Sequence, residues 1–157
     1  MRIIVLTFGM LISANAFAVF HHKAKVNPAL MEVHKVYIKG NNEATVDLRR
    51  DMLKTADKYG DNACFAVVGN EKAADAILEV NEHEASGGLN PMIGLGGGAK
   101  MTTVATGTLS DSKGNLLWSD SKQGGAGMIH SGAGSAAQNL LRSLYHQACG
   151  SWNGDRK

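Results

Sequence analysis

Residues 101–120, MTTVATGTLSDSKGNLLWSD, restrict most strongly how this chain can fold. Residues 103–110 are rich in threonine and small side chains, and residues 116–118 (LLW) begin a second segment with bulky apolar side chains. Such residues favour β-strands. The intervening residues 111–115 (DSKGN) have the composition of a tight turn, in which Gly114 can adopt a positive φ. The pattern predicts a β-hairpin at the centre of a small sheet.

The rest of the sequence divides into strand-like and helix-like segments. Polar and apolar residues alternate over 34–39 (HKVYIK) and 76–84, which predicts two strands. Apolar residues recur at helical spacing over 44–59 and 135–149, which predicts two amphipathic helices. Residues 64–68 (CFAVV) are almost entirely apolar, as in a strand that is buried on both faces.

The order of these segments, β-α-β-β-β-β-α, defines the expected fold class. It predicts an α+β fold in which two helices pack on one face of a mixed five-strand sheet. A chain of 157 residues suits one domain, which we place at residues 34–150. A flexible lead-in at 19–33 precedes this domain, and a polar tail at 151–157 follows it.

Residues 1–18 have the features of a secretory signal peptide. Arg2 supplies the positive charge, and the apolar run at 3–12 is too short to span a bilayer. The sequence Ala16-Phe17-Ala18 fits the small-x-small cleavage rule. We therefore expect cleavage after Ala18 and a mature chain that is periplasmic or secreted, without a transmembrane segment. An uncleaved apolar anchor is the alternative.

The sequence contains two cysteines, Cys64 and Cys149. An even number of cysteines in an exported protein predicts a disulfide bond. Closing so long a loop would stabilise the fold by about 4–5 kcal/mol in the chain-entropy model. Two separate buried thiols are the alternative.

Two glycine-rich segments, residues 87–100 and 123–134, are predicted to be loops. If the last three strands form an antiparallel meander, both loops leave the same end of the sheet. Both contain apolar residues, and apolar residues on loops suggest a contact surface for a partner. The predicted partner surface consists of Leu89, Met92, Ile93, Leu95, Met128 and Ile129. The alternative is that these side chains fold back over the sheet or are disordered.

Composition and motifs argue against several classes of function. The formal charge of +2 is far from that of a nucleic-acid-binding domain, so no nucleic acid partner is expected. Residues 94–101 (GLGGGAKM) resemble a phosphate-binding loop but lack its Lys-Ser/Thr ending and precede a predicted strand. The sequence has no nucleophile elbow. We therefore expect a protein that is not an enzyme and needs no cofactor.

Cleavage after Ala18 would leave Val19-Phe20-His21 at the amino terminus. The terminal amine, two backbone amides and the His21 imidazole would form a square-planar nitrogen set that suits Cu(II) or Ni(II). His21 is therefore a candidate metal ligand, although such a terminus also arises by chance. Glu79 and His83 lie on one face of a predicted strand, but nothing near them in sequence completes a ligand set.

Five short segments carry a resemblance to known proteins. They are residues 35–38 (KVYI), 65–68 (FAVV), 74–80 (ADAILEV), 106–109 (TGTL, followed by a D-x-x-G turn) and 117–118 (LW). In this layout the chain resembles a family of small exported bacterial proteins with an α+β envelope domain. It more distantly resembles the N-terminal domain of the Tol-system propeller protein and curli-secretion-type domains. The resemblance implies an envelope domain and brings no active site with it.

These features predict an exported, non-enzymatic domain. We expect it to bind an unknown protein or surface of the cell envelope through the glycine-rich loops at 87–100 and 123–134. The alternative is a periplasmic protein that binds Cu, Ni or a small ligand, with Val19-Phe20-His21 as the metal site.

Overall fold

The structure is a computed structural model that describes residues 26–85, 102–125 and 131–156. These residues form an α+β fold around one five-stranded mixed sheet, in the order of strands and long helices that the sequence predicts. In chain order the elements are α1 (Pro28–Met31), β1 (Lys35–Lys39), α2 (Glu43–Tyr59), β2 (Ala66–Val68), β3 (Ala76–Ala85), β4 (Thr102–Asp111), β5 (Leu116–Gly125) and α3 (Gly132–Cys149).

The strands lie in the order β2-β1-β3-β4-β5. Strand β1 is parallel to both β2 and β3, whereas β3, β4 and β5 form the predicted antiparallel meander. Ala85 is paired with Thr102, which is paired with Gly125. The end of β3, the start of β4 and the end of β5 therefore lie side by side at one end of the sheet.

The predicted hairpin is present, but it is not at the centre of the sheet. Strand β3 is the middle strand, and β5 lies at an edge. The turn is stabilised by the Asp111 carboxylate, which accepts hydrogen bonds from the backbone N–H groups of Lys113 and Asn115, both at 2.8 Å. Gly114 adopts a φ of 84°. Turn chemistry identified the hairpin, but local sequence does not determine which strand takes the middle position.

One face of the sheet packs against α2 and α3, as predicted. Alternate strand residues point into this layer, so each strand has a buried and a more exposed side. The largest fully buried side chains of the sheet and the two helices are Val36, Ile38, Leu48, Met52, Leu78, Leu109, Leu140 and Leu144.

The strand predicted at residues 64–68 is present, but it is shorter than predicted and is not buried on both faces. Strand β2 contains only Ala66–Val68 and lies at a sheet edge, where Ala66 is exposed. Cys64 and Phe65 are buried, but they precede the strand. The Phe65 ring lies 6.0 Å from the Tyr145 ring of α3. The apolar run did indicate buried residues, but the buried residues Cys64 and Phe65 belong to the loop before β2, which packs against α3.

Residues before and after the predicted domain are part of the packed fold. Residues 26–33, expected within a flexible lead-in, include the helical turn α1, and Leu30 is completely buried. In the predicted tail, the Arg156 guanidinium donates hydrogen bonds to the carbonyls of Val33 at 2.8 Å and Cys64 at 2.9 Å. Residues near both ends of the described chain therefore pack against the loop before β2, outside the predicted 34–150.

Cys64 and Cys149 lie next to each other, as predicted. Their Cα atoms are 6.0 Å apart, a separation compatible with a disulfide. This pair connects the loop before β2 to the last residue of α3. In the residues that the structure describes, no helix is both long and apolar enough to cross a membrane.

Candidate functional site

The second predicted glycine-rich loop, residues 123–134, is partly regular structure. Residues 123–125 belong to β5, and residues 132–134 form the first turn of α3. A Cβ atom on Gly124 would lie 2.2 Å from the backbone nitrogen of Ala136. Glycine is therefore required here because the helix backbone packs directly on the strand. The sequence pattern had suggested only a loop.

The predicted partner residues and the predicted metal ligand cannot be placed. Leu89, Met92, Ile93 and Leu95 lie outside the described residues, as do Met128 and Ile129. The same is true of Val19, Phe20 and His21. The described residues that border these segments, Ala85, Thr102 and Gly125, are however paired side by side at one end of the sheet.

The sheet face opposite the helices leads to this end and is largely polar. Residues in register on neighbouring strands share a face. Asn81, Thr106 and Ser121 form one row on this face, and His83, Val104 and Gln123 form the next. The Thr106 and Ser121 hydroxyls are hydrogen-bonded to each other, and His83 and Gln123 are exposed.

Glu79 and His83 do not form a metal site with their neighbours. The Glu79 carboxylate lies 2.7 Å from the Lys39 ammonium, and this contact raises the pKa of Lys39. Among the described residues, no group of three or more histidine, cysteine, aspartate or glutamate side chains could hold a metal ion.

The sheet end is anchored to the start of α2. Asn42, the residue that caps α2, accepts a hydrogen bond from the backbone N–H of Thr45 at 2.8 Å and donates one to the carbonyl of Val80 at 2.8 Å. The Glu82 carboxylate accepts hydrogen bonds from the N–H groups of Ala44 at 2.8 Å and Glu43 at 3.2 Å. The positive end of α2 is thus occupied by a carboxylate from β3.

A hollow of about 490 Å³ lies between β5, α3 and the residues after α3. A smaller hollow of about 190 Å³ adjoins it, and Arg142, Trp152 and Asn153 border both. The larger hollow is lined by Lys122, Asn139, Arg142, Ser143, Trp152 and Asn153. Sequence reasoning missed this site because its residues come from three separated segments.

A charged network forms one wall of the larger hollow. The Asp120 carboxylate accepts a hydrogen bond from the Ser143 hydroxyl and lies 2.9 Å from the Lys122 ammonium. Burial raises the pKa of Asp120, but hydrogen bonds from Ser143, Lys122 and the Ser121 backbone outweigh it and lower the pKa overall. The carboxylate is therefore charged at neutral pH and holds Lys122.

Arg142 and Trp152 provide the other distinctive groups of the hollow. Arg142 is exposed, and its guanidinium group has no hydrogen bond or ion pair with any described residue. The Trp152 ring stacks on His146 with centroids 3.8 Å apart and an interplanar angle of 15°. Even so, 56% of Trp152 is exposed. This stack was not predicted from the sequence. The pattern that could have indicated it is a histidine in the last turn of α3 followed by a tryptophan just after the helix ends.

The fold and these sites define an α+β domain with a polar sheet face, an anchored sheet end and an open polar hollow. No protein-family model and no curated protein matches the sequence.

Two solved structures of the PelC dodecamer from Paraburkholderia phytofirmans, one of them of a point variant, are similar in fold. The variant is 13% identical and the other structure 18% identical. Each match covers 85% of this chain and has a TM-score of 0.47. The matched region covers 95% of the variant's chain and 96% of the chain in the other structure. The resemblance to Tol-system and curli-type domains stays a prediction.

Proposed function

We propose that this chain is an exported, non-enzymatic domain that binds a protein of the cell envelope. The binding region is the sheet end formed by the last residues of β3, the first residues of β4 and the last residues of β5, with the segments 86–101 and 126–130 that join there. The observation that carries this proposal is the register of Ala85, Thr102 and Gly125, which places the attachment points of both segments together.

The rigidity of this sheet end supports the proposal. Asn42 and Glu82 connect the end of β3 to α2, and Gly124 brings the end of β5 against α3. Binding residues are commonly carried on segments that a rigid scaffold positions. We expect a partner to bind where these contacts hold the sheet end against both helices.

The pairing of Cys64 with Cys149 supports export. Disulfides persist in the periplasm and outside the cell and are rare in the cytosol. The sequence of residues 1–18 also supports export, because it has the positive charge, the apolar run and the small-x-small cleavage motif of a signal peptide.

Site-specific photo-crosslinking in living bacteria tests the proposed binding region. A photoreactive amino acid is placed at His83 or at Gln123, which are exposed near the proposed region. The matched control is Lys113, which is exposed in the turn at the other end of the β4–β5 hairpin. We expect a discrete protein adduct from positions 83 and 123 and none from position 113. Adducts from position 113 alone would contradict the proposal.

A loop replacement tests whether the glycine-rich segment contributes to the contact. Residues 88–98 are exchanged for a glycine-serine linker of equal length in the chain that carries the crosslinker at position 83. The proposal predicts loss of the adduct with an unchanged melting temperature. An adduct of undiminished yield would show that the segment makes no contact with the partner.

A further inference from the structure

The hollow beside α3 has the size and the polar groups of a small-ligand site. Its volume of about 490 Å³ lies within the range of roughly 300–1,000 Å³ that is typical of ligand pockets. It lies on the helix-covered side of β5, whereas the crosslinking positions 83 and 123 lie on the opposite face. The inference drawn from it is therefore independent of the partner surface proposed above.

The charge of the hollow favours an anion. Lys122 is compensated by Asp120, whereas Arg142 has no partner among the described residues. A guanidinium group presents parallel N–H donors that match the two oxygens of a carboxylate. A carboxylate placed against Arg142 would therefore compensate the charge that the described lining residues leave uncompensated.

The uncharged groups of the hollow favour a ring with hydroxyl groups. Stacking on His146 holds the Trp152 indole in one orientation while more than half of the residue stays exposed. Such an indole offers an apolar surface to the C–H groups of a sugar ring. Asn139 donates its amide to the carbonyl of Gln123 at 3.1 Å, which leaves its side-chain oxygen as an acceptor. The Asn153 side chain has no partner within the described part of the chain.

We propose that this hollow binds a sugar that carries a carboxylate, that is, a uronic acid residue. Arg142 binds the carboxylate, Trp152 packs against the ring, and Asn139 and Asn153 bond to hydroxyl groups. Asp120 and Ser143 are positioning residues that hold Lys122 at the rim.

The two tryptophans of the chain make the test direct. Trp118 is 4% exposed in the core and Trp152 is 56% exposed at the hollow, so the protein gives two indole N–H signals in an NMR spectrum. The Trp152→Phe variant assigns them. Purified oxidised protein is titrated with digalacturonate, with a neutral galactose disaccharide and with inorganic phosphate.

The proposal predicts a saturable shift of the Trp152 signal with digalacturonate, while the Trp118 signal stays in place. Affinity should fall at least tenfold in Arg142→Gln. It should be unchanged in Arg50→Gln, which removes another exposed arginine, from α2. The loop replacement at 88–98 should also leave it unchanged, so failure of the partner proposal and failure of this one are distinguishable.

Three results would overturn the proposal. No shift at millimolar digalacturonate means that the hollow is not a uronate site. An equal shift with the neutral disaccharide removes the role of the carboxylate. If inorganic phosphate shifts the Trp152 signal and binds at least as tightly as digalacturonate, the hollow is a site for simple anions only.

Discussion

Single glycines determine how closely α3 approaches the sheet. A Cβ on Gly124 would lie 2.2 Å from the backbone nitrogen of Ala136 and 2.3 Å from the carbonyl oxygen of Gly132. A Cβ on Gly107 would lie 2.9 Å from the Leu140 side chain. A Cβ at Gly124 would collide with the backbone of α3, so a side chain there would push the helix away from the strand. A Cβ at Gly107 would instead require the Leu140 and Trp118 side chains to shift.

Gly124→Ala should therefore destabilise the protein by about 1–3 kcal/mol, the usual cost of overpacking. Gly125→Ala is the matched control, because a Cβ there meets no atom of the described residues within 4 Å. We expect Gly125→Ala to stay within about 0.5 kcal/mol of the unaltered protein. Urea denaturation measures both, and equal midpoints for the two variants would contradict this packing.

Asp75 connects the starts of β1 and β3. Its carboxylate accepts hydrogen bonds from the backbone N–H groups of Lys35 at 2.7 Å and His34 at 3.0 Å. The hydrogen bond from Lys35 is the main cause of a lowered pKa for Asp75; burial acts in the opposite direction, and the hydrogen bond from His34 lowers the pKa further. The ionised form is therefore favoured in the folded state.

This lowered pKa predicts how stability depends on pH. The stabilisation is complete above the ordinary value of 3.8 and is lost as the pH falls through the lower folded-state value. Asp75→Asn should be less stable than the unaltered protein at neutral pH, and the difference should narrow in acid. Asp57→Asn is the control, because the Asp57 carboxylate has no hydrogen bond or ion pair with any described residue. A difference in unfolding free energy between Asp75→Asn and the unaltered protein that stays constant with pH would argue against this role.

At the scale of elements, α2 is held at its amino end by a residue from another element. Asn42 caps the helix from the preceding residue in the chain, whereas Glu82 reaches the N–H groups of Glu43 and Ala44 from β3. A carboxylate at this end also interacts favourably with the helix dipole. The contact makes the first turn of α2 part of the support for the sheet end.

Glu82→Gln should weaken this contact, because an uncharged amide is a poorer acceptor at a helix amino terminus. We expect a loss of about 0.3–1 kcal/mol, with faster hydrogen exchange at the amides of Glu43 and Ala44. Glu84→Gln, an exposed change two residues further along the same strand, should leave both amides unaffected. Equal exchange rates in the two variants would contradict the assignment.

At the scale of the whole molecule, the sequence predicted the elements and the pairing of Cys64 with Cys149, but not the other contacts between distant segments. Helical spacing, strand alternation and the turn at Gly114 were sufficient for the α+β fold and the meander. The Glu82 contact, the Arg156 contacts and the hollow were missed, because each depends on side chains that are far apart in sequence. The order of the strands in the sheet was also not predicted, because it depends on pairing between segments that are far apart in sequence. Strand β2 lies at an edge, and the β4–β5 hairpin is not at the centre.

The described chain is closed by contacts between its two ends. Arg156 bonds to Val33 and Cys64, the Cys64 N–H donates to Gly154 at 2.7 Å, and Cys149 lies against Cys64. The loop before β2, the segment around α1 and the residues after α3 therefore form one cluster. A disulfide in this cluster would hold together the region where both ends of the domain meet.

Export into an oxidising compartment underlies the proposed function, and the intact mass of the protein tests it. The full chain is produced in bacteria with its own residues 1–18, and free thiols are alkylated before any reduction. We predict a mass that corresponds to a chain beginning at Val19 with no alkylated cysteine. A chain that retains residues 1–18, or one that carries alkyl groups on Cys64 and Cys149, would contradict export and oxidation.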